Sequence, residues 1–407
     1  MGLTAIINAR LCDPSAGALS EGTLLVEGER IAAIGAVDVP SGAEVIDASG
    51  MIVAPGIIDL GVFRTDKPAF HFAGITRAAL MPDQSPVLDE PGLIQHAARA
   101  GKQDFWVHPL GAATRGLEGR ELAEMALMKA AGARAIATGR SWIADSGVML
   151  RVLRYASALN LVVITHGEDG GMTANAVATD GETASRLGLQ SAPSCAEAIA
   201  IARDIALARE AGARLHVRLV TTAAGFTLIR TAKAEGLKVT CGTSPSYLFL
   251  NDAAVSDFRT FARLSPPLRD ERDRLATIEA VADGTVDVLC SGHDPRGPED
   301  KRLPFADAAP GIAGAETLLP LALNLVREGK ISETRMMALL AANPAAILGL
   351  DAGRLAVDAP ADLILIDPDK PWIVDSAKMA AAAGNTPFDK LPVQGRARMI
   401  MKGGVIR

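Results

Sequence analysis

Short apolar runs alternate eight times with helical stretches through the middle of the chain, and this alternation constrains the fold most. The two longest Ala-rich helical stretches cover residues 121–131 and 195–211, and residues 270–282 begin with the acidic side chains that a helix N-terminus favours. Eight strand-then-helix units predict an α/β fold, a (β/α)8 TIM barrel, rather than an open sheet. The candidate strands cover residues 57–60, 77–81, 105–109, 134–138, 161–165, 214–220, 237–241 and 286–290.

The two ends of the chain differ from the middle in their sequence pattern. Residues 3–54 contain short strand-like runs separated by Gly, Pro, Ser and Asp, and residues 361–366 and 398–406 repeat that pattern. Short strands at this spacing are typical of a small β-sandwich. We therefore predict a composite β-sandwich domain of residues 1–55 plus 347–407, attached to a barrel of residues 56–346.

Composition excludes several classes of partner. The 407 residues include 41 basic and 47 acidic side chains, a net charge of −6, and no basic cluster stands out. We therefore expect neither nucleic acid nor a membrane as a partner. The four cysteines form no CxxC pair, and the N-terminus lacks the basic and apolar segments of a signal peptide. These features predict a cytoplasmic protein.

The first predicted barrel strand carries a recognisable signature. The run Ala-Pro-Gly-Ile-Ile-Asp-Leu-Gly-Val-Phe at residues 54–63 resembles the corresponding segment of the amidohydrolase superfamily, and specifically of dihydroorotases of the long, sandwich-bearing type. Further matches at residues 162–169, 265–269 and 343–350 extend the resemblance over essentially the whole chain. The resemblance implies the barrel-plus-sandwich fold and a zinc-dependent hydrolase of pyrimidine biosynthesis.

The residues at the metal-ligand positions of that family have changed. By the resemblance, His166 is the only metal ligand of the family that this chain keeps. Gly292 replaces a metal ligand that is also the family's catalytic Asp. Catalytic zinc needs about three protein ligands plus a water, so we expect no cofactor and assign no catalytic residue. The positions that no longer hold metal ligands are Gly61, Phe63, Gly139, Leu219 and Gly292.

Other polar side chains remain near the predicted strand ends. We interpret them as a vestigial pocket, because they follow strands whose carboxyl ends carry the active site in such barrels. They are Asp83, His166, Glu168, Asp169, His293 and Asp294.

Three functional interpretations follow. The sequence favours a non-catalytic homologue, for which the resemblance implies a structural role with aspartate transcarbamoylase in a hetero-oligomer; a homo-oligomer is also compatible with the sequence. The alternative is an active dihydroorotase or another cyclic amidohydrolase, with zinc at an altered site that would draw on His166, Glu168, Asp169, His293 and Asp294. A third interpretation is a protein that binds a small molecule at the open end of the barrel.

Overall fold

Parallel strands surrounded by helices form the centre of the structure, a computed structural model that describes residues 2–407. The strands are β1 (Leu3–Leu11), β2 (Ser20–Glu27), β3 (Arg30–Gly35), β4 (Glu44–Asp47), β5 (Ile52–Pro55), β6 (Ile57–Val62), β7 (Ile75–Leu80), β8 (Trp106–Pro109), β9 (Gly111–Ala112), β10 (Ile136–Ala137), β11 (Val162–Thr165), β12 (Ala178–Thr179), β13 (Ser191–Ala192), β14 (Arg214–Val217), β15 (Val239–Thr243), β16 (Val288–Leu289), β17 (Leu363–Ile373), β18 (Pro392–Lys402) and β19 (Val405–Ile406).

Helices connect the barrel strands, and the longer ones pack on the outer face of the barrel. They are α1 (Lys67–Ala73), α2 (Pro91–Arg99), α3 (Met125–Ala130), α4 (Ser146–Ala158), α5 (Gly170–Thr173), α6 (Glu182–Leu187), α7 (Cys195–Ala211), α8 (Ala223–Ala234), α9 (Pro245–Phe249), α10 (Glu271–Ala282), α11 (Pro298–Lys301), α12 (Ala315–Arg327), α13 (Glu333–Met337) and α14 (Asn343–Leu348). Within residues 2–407, the structure contains no helix long and apolar enough to cross a membrane.

The barrel consists of two parallel sheets that meet at one interrupted strand. Strands β6, β7 and β8 pair in one sheet, and β9, β10, β11, β14, β15 and β16 pair in the other. Only Leu110 separates β8 from β9, so these two short strands act as the third strand of an eight-stranded ring. The ring closes where the backbone N–H of Ser291 donates to Asp59 Oδ1 at 3.0 Å. This arrangement confirms the predicted α/β barrel.

Successive side chains of the barrel strands point to opposite sides, as the two-residue period of a strand requires. Ile57 of β6 packs outward against the helices, whereas Leu60 of the same strand belongs to the cluster inside the barrel with Ala79 and Val288. The predicted helix 195–211 agrees with α7. The predicted strand ends differ by a few residues, because burial on both faces leaves no polar residue to mark where pairing stops.

The two ends of the chain form one mixed sheet beside the barrel. Its strand order is β19-β18-β17-β5-β1-β2-β3, and β4 pairs with β1. Side chains from both ends share its core, including Ile6, Leu24, Leu363 and Met401. The strand pairing thus shows that both ends of the chain contribute strands to one sheet, as predicted. The sandwich arrangement and the domain limits at residues 55 and 347 stay predictions.

A buried ion pair joins the terminal sheet to the barrel. Arg77 of β7 contacts the carboxylate of Asp362, and both side chains are at least nine-tenths buried. Asp362 also accepts hydrogen bonds from Trp106 Nε1 at 3.1 Å and from the backbone N–H of Gly403 at 2.8 Å. The single carboxylate therefore ties β7, β8 and the β18–β19 turn together.

We predict that Arg77→Met destabilises the protein by about 3 kcal/mol, because it leaves the Asp362 carboxylate buried without its cation. Urea unfolding at neutral pH measures this change. The control is Arg154→Met, which removes the exposed pair with Glu210 and should cost less than about 1 kcal/mol. Equal losses in the two variants would contradict the role assigned to Arg77.

Candidate active site

The candidate site residues lie at the carboxyl ends of the barrel strands, an edge that we call the barrel mouth. Phe63 follows β6, Asp83 follows β7 and Arg140 follows β10. His166 and Arg218 come directly after β11 and β14. Residues that are far apart in the sequence therefore converge here because parallel strands end at the same edge of a barrel.

A phenyl ring at the barrel mouth is in contact with two guanidinium groups. Arg140 Cζ lies 3.5 Å from the centroid of the Phe63 ring, and Arg218 Cζ lies 5.0 Å from it. Both distances fall within the range of cation–π contacts. A position that the resemblance gives to a metal-binding imidazole is thus filled by an apolar ring that holds two cations.

Glycine at two of the changed positions makes room for these side chains. Gly61 has φ +104°, and an added Cβ would lie 3.1 Å from Arg218 Cδ. Gly139 has φ +76°, and its Cβ would lie 2.7 Å from Asp83 Oδ1. Both backbone conformations favour glycine over any other residue. Gly292 also has φ +61°, but a Cβ there would meet only an Ile312 methyl at 3.8 Å.

The zinc centre that the resemblance implies does not fit the side chains present. Within residues 2–407, no three His, Cys, Asp or Glu side chains converge to hold a metal ion. Leu219 is 5% exposed and offers only methyl groups to the mouth. Arg140 and Arg218 add positive charge, which repels a divalent cation at short range.

His166 is instead held by a buried chain of charged side chains. His166 Nε2 lies 3.5 Å from Glu168 Oε2, and Arg269 Nη2 donates to Glu168 Oε1 at 2.7 Å. Burial alone would raise the pKa of Glu168, but His166 and the charge of Arg269 lower that pKa to about 2. Glu168 is therefore ionised at neutral pH and places a negative charge beside the imidazole.

Glu197 fixes the far side of Arg269. Its carboxylate lies 3.5 Å from Arg269 Nη2 and accepts backbone N–H bonds from Thr221 at 3.0 Å and Thr222 at 2.9 Å. Arg269 Nε also donates to Thr221 Oγ1 at 2.9 Å. The Arg269 guanidinium is thus held by Glu197 and Thr221 on one side and by Glu168 on the other.

His166 and Glu168 face a cavity of about 390 Å3, within the ~300–1,000 Å3 typical of small-molecule sites. Two guanidinium groups, those of Arg140 and Arg263, also line it, so its wall carries both acid–base and cationic groups. The remaining lining residues are Ser141, Trp142, Gly170, Thr173, Ala176, Leu264, Ser265, Pro267 and Pro310.

Two further residues of the predicted vestigial pocket accept hydrogen bonds from Arg140 at the mouth. Asp294 accepts from Arg140 Nη2 at 2.7 Å and from Arg296 Nε at 3.1 Å. Asp83 Oδ1 accepts from the backbone N–H of Arg140 at 2.8 Å. Both carboxylates position Arg140, which in turn covers Phe63.

The other two predicted pocket residues make contacts away from the cavity. Asp169 caps α5, accepting from the backbone N–H of Gly171 at 2.8 Å. His293 is fully buried, with Nε2 3.5 Å from Asp66 Oδ2 and Nδ1 accepting from the Ala315 N–H at 3.3 Å. Both side chains therefore support loops and do not line the cavity.

Sequence reasoning missed the roles of Arg140 and Arg218. One signal was present, because Arg218 stands at the end of a strand that is otherwise buried, directly before the changed position Leu219. A charged side chain is rarely buried at such a place unless something pairs with it. The sequence alone does not show that its neighbour across the mouth is a phenyl ring.

Comparisons with known proteins agree with the fold. Residues 51–224 match the family described as "Dihydro-orotase-like". The chain is 37% identical to the dihydroorotase of Geobacter sp. (strain M21) over 98% of both chains, and 40% identical to that of Syntrophotalea carbinolica over 96% of both. L-hydantoinase (dihydropyrimidinase) from Arthrobacter aurescens superposes with a TM-score of 0.88 at 26% identity, covering 100% of this chain and 96% of that one.

These matches overturn one expectation from the sequence. The prediction of a non-catalytic protein that serves as a structural partner of aspartate transcarbamoylase is wrong, because relatives at 35–40% identity over nearly the full chain are named as the enzyme dihydroorotase. The inference gave most weight to the changed ligand positions, and the matches favour the alternative interpretation, an active dihydroorotase or another cyclic amidohydrolase. Physical association with aspartate transcarbamoylase stays a prediction from the resemblance.

We predict that Glu168→Gln destabilises the protein by about 3 kcal/mol at pH 7, since the carboxylate ionises far more readily in the folded chain than in the unfolded one. Because the folded-state pKa is lowered from 4.5 to about 2, this stabilisation is complete above pH 4.5 and disappears as the pH falls towards 2. Urea unfolding at pH 7 and at pH 3 should therefore show a smaller difference between variant and wild type at the lower pH.

The matched control for this experiment is Glu210→Gln, which removes an exposed carboxylate paired with Arg154. It should change stability by less than about 1 kcal/mol at either pH. A Glu168→Gln difference that is the same at pH 7 and pH 3 would contradict the ionised, paired state of Glu168.

Proposed function

We propose that this chain, which belongs to the dihydroorotase-like family, hydrolyses a ring C–N bond of a small cyclic amide in pyrimidine biosynthesis, with an acid–base site in place of the family's metal site. The single observation that carries the proposal is the buried His166–Glu168 pair on the wall of the cavity at the barrel mouth. Its position at the carboxyl ends of the strands is where barrel enzymes carry their chemistry.

His166 acts as the general base in this proposal. With the Nε2 proton directed at the ionised Glu168, Nδ1 carries the free lone pair. A water gives a proton to Nδ1 while its oxygen attacks the ring carbonyl carbon. The ring C–N bond then breaks, and the imidazolium returns the proton to the departing nitrogen. The product is an open chain with a new carboxylic acid group, and water is the only co-reactant.

The guanidinium groups of Arg140 and Arg263 supply positive charge on the same wall. They stabilise the negative charge that develops on the carbonyl oxygen, in the manner of an oxyanion hole. General acid–base catalysis contributes about 10²–10⁴-fold, so a site of this kind supports slower turnover than a metal-activated hydroxide.

We predict slow interconversion of dihydroorotate and N-carbamoyl aspartate by the purified protein in the presence of EDTA. Chromatography of both compounds over time measures the rate. His166→Asn should lower the rate by about 10²-fold, because the general base is lost. His96→Asn changes an exposed histidine of α2 and should leave the rate unchanged.

Two outcomes would contradict this proposal. Absence of turnover above blank, with EDTA and with added zinc alike, is the result expected of a non-catalytic homologue. Turnover that requires zinc would show that the protein assembles a metal site despite the side chains at the mouth.

A further inference from the structure

An open cavity lies between three loops, one that follows α9, one that follows β16 and one that joins β17 to β18. We call it the loop cavity; residues from the segments 258–261, 296–303 and 376–389 line it. Its volume is about 690 Å3, within the ~300–1,000 Å3 typical of small-molecule sites. Its lining residues all differ from those of the cavity that contains His166, so the two are separate sites.

The wall of the loop cavity is positively charged. In the part of the chain that the structure describes, one carboxylate, that of Asp389, lines it, and this group already accepts from the backbone N–H of Ser376 at 2.7 Å. Four cationic side chains also line it, those of Arg259, Arg296, Lys301 and Arg302. A concave wall with this excess of cations attracts an anion.

Within residues 2–407, two of these cations have no counter-ion. Neither Arg259 nor Arg302 lies within ion-pair distance of a carboxylate in that range, whereas Arg296 pairs with Asp294 at 3.1 Å and with Asp300 at 3.6 Å. Arg259 Nε is also buried without a hydrogen-bond partner in the described chain. A buried donor that lacks an acceptor costs free energy, so an anionic ligand at Arg259 would be stabilised by the contact that the protein itself does not supply.

Lys301 holds two of the loops together. The side chain is buried, and Nζ donates to the backbone oxygens of Ala309 at 2.7 Å and Thr260 at 3.1 Å. Thr260 Oγ1 donates in return to the backbone oxygen of Lys301 at 2.6 Å. The loops that carry Arg259 and Arg302 are therefore fixed to each other before a ligand binds, which lowers the cost of binding.

Two phenyl rings supply the apolar part of the wall. Phe261 is half-buried, whereas Phe258 is 47% exposed. Phe258 also has φ +56°, a backbone conformation that is rare for a bulky residue and costs free energy. The loop thus keeps an aromatic ring exposed on the cavity wall at some cost, and such a ring is available to stack on a planar ligand.

We infer that the loop cavity binds a nucleoside monophosphate, with its phosphate on Arg259 and Arg302 and its base against Phe258. A phosphate offers a planar guanidinium two oxygens for parallel hydrogen bonds. Any base has a flat face that stacks on a phenyl ring, and the second oxygen of Asp389 can accept from ribose hydroxyl groups. This binding site lies outside the proposed hydrolysis and does not depend on it.

Isothermal titration calorimetry with AMP and UMP tests this site without any turnover. Comparison ligands are the matching nucleosides, which lack the phosphate, ribose phosphate, which lacks the base, and inorganic phosphate. Wild type should bind at least one of the two nucleotides about tenfold or more tightly than every comparison ligand, because each comparison ligand loses either the stacking or the charged contacts.

Two variants separate the two kinds of contact. Arg302→Met should weaken nucleotide binding about tenfold, because it removes charge-assisted hydrogen bonds to the phosphate. Phe258→Gly should bind the nucleotide no better than it binds ribose phosphate, because the stacking ring is lost. Glycine adopts φ +56° without strain, so the loop keeps its conformation in this variant.

Two controls show where the nucleotide binds. Arg272→Met removes an exposed arginine of α10 that is not part of the cavity lining, and it should bind the nucleotides as wild type does. His166→Asn changes the other cavity and should also leave nucleotide binding unchanged.

Three results would overturn the inference. They are a lack of binding of both nucleotides to wild type, affinity for inorganic phosphate or ribose phosphate equal to that for the nucleotides, and loss of nucleotide binding in His166→Asn, which would place the nucleotide at the barrel mouth. Because wild type alone reveals the preference, the test does not depend on the variants folding. A protein without hydrolase activity would still give a readable result.

Discussion

The contact of Phe63 with the guanidinium groups of Arg140 and Arg218 determines which chemical groups the barrel mouth presents, an apolar ring and two cations. The ring lies 3.5 Å from one cation and 5.0 Å from the other. Gly61 leaves space for the Arg218 stem, and Gly139 leaves space for the Asp83 carboxylate that holds Arg140. Changes that look like separate losses in the sequence are thus parts of one packed arrangement of aromatic and cationic side chains.

A second arrangement holds the acid–base pair beside this stack. Glu197 and the start of α8 fix Arg269, Arg269 fixes Glu168, and Glu168 places its charge beside His166. These groups are almost fully buried, where each charge–charge contact is stronger than it would be in water. The barrel supplies the rigidity for both arrangements, and the terminal sheet is anchored to it through Asp362.

The fold was predictable because its signals are local and repeated. Eight apolar runs separated by amphipathic stretches identify the barrel, and α7 was predicted to the residue. The mouth was less predictable, since its geometry depends on contacts between residues far apart in the chain. The resemblance implies that Phe63 stands at a metal-ligand position, but the contact of Arg140 and Arg218 with its ring depends on the register of the strands. Asp169 and His293 were placed in the same predicted pocket as Glu168 and His166 for the same reason, yet Asp169 caps a helix and His293 packs against Asp66.

In the proposed function, the contact of Phe63 with two guanidinium groups and the His166–Glu168 pair stand where the family has its metal site. X-ray diffraction from crystals of the protein grown with zinc, recorded on both sides of the zinc absorption edge, tests this proposal most directly. We expect no anomalous peak near His166 and Phe63, together with less than about 0.1 zinc per chain by elemental analysis, since catalytic zinc needs about three protein ligands. An anomalous peak within bonding distance of His166, with one or two zinc ions per chain, would contradict the proposal.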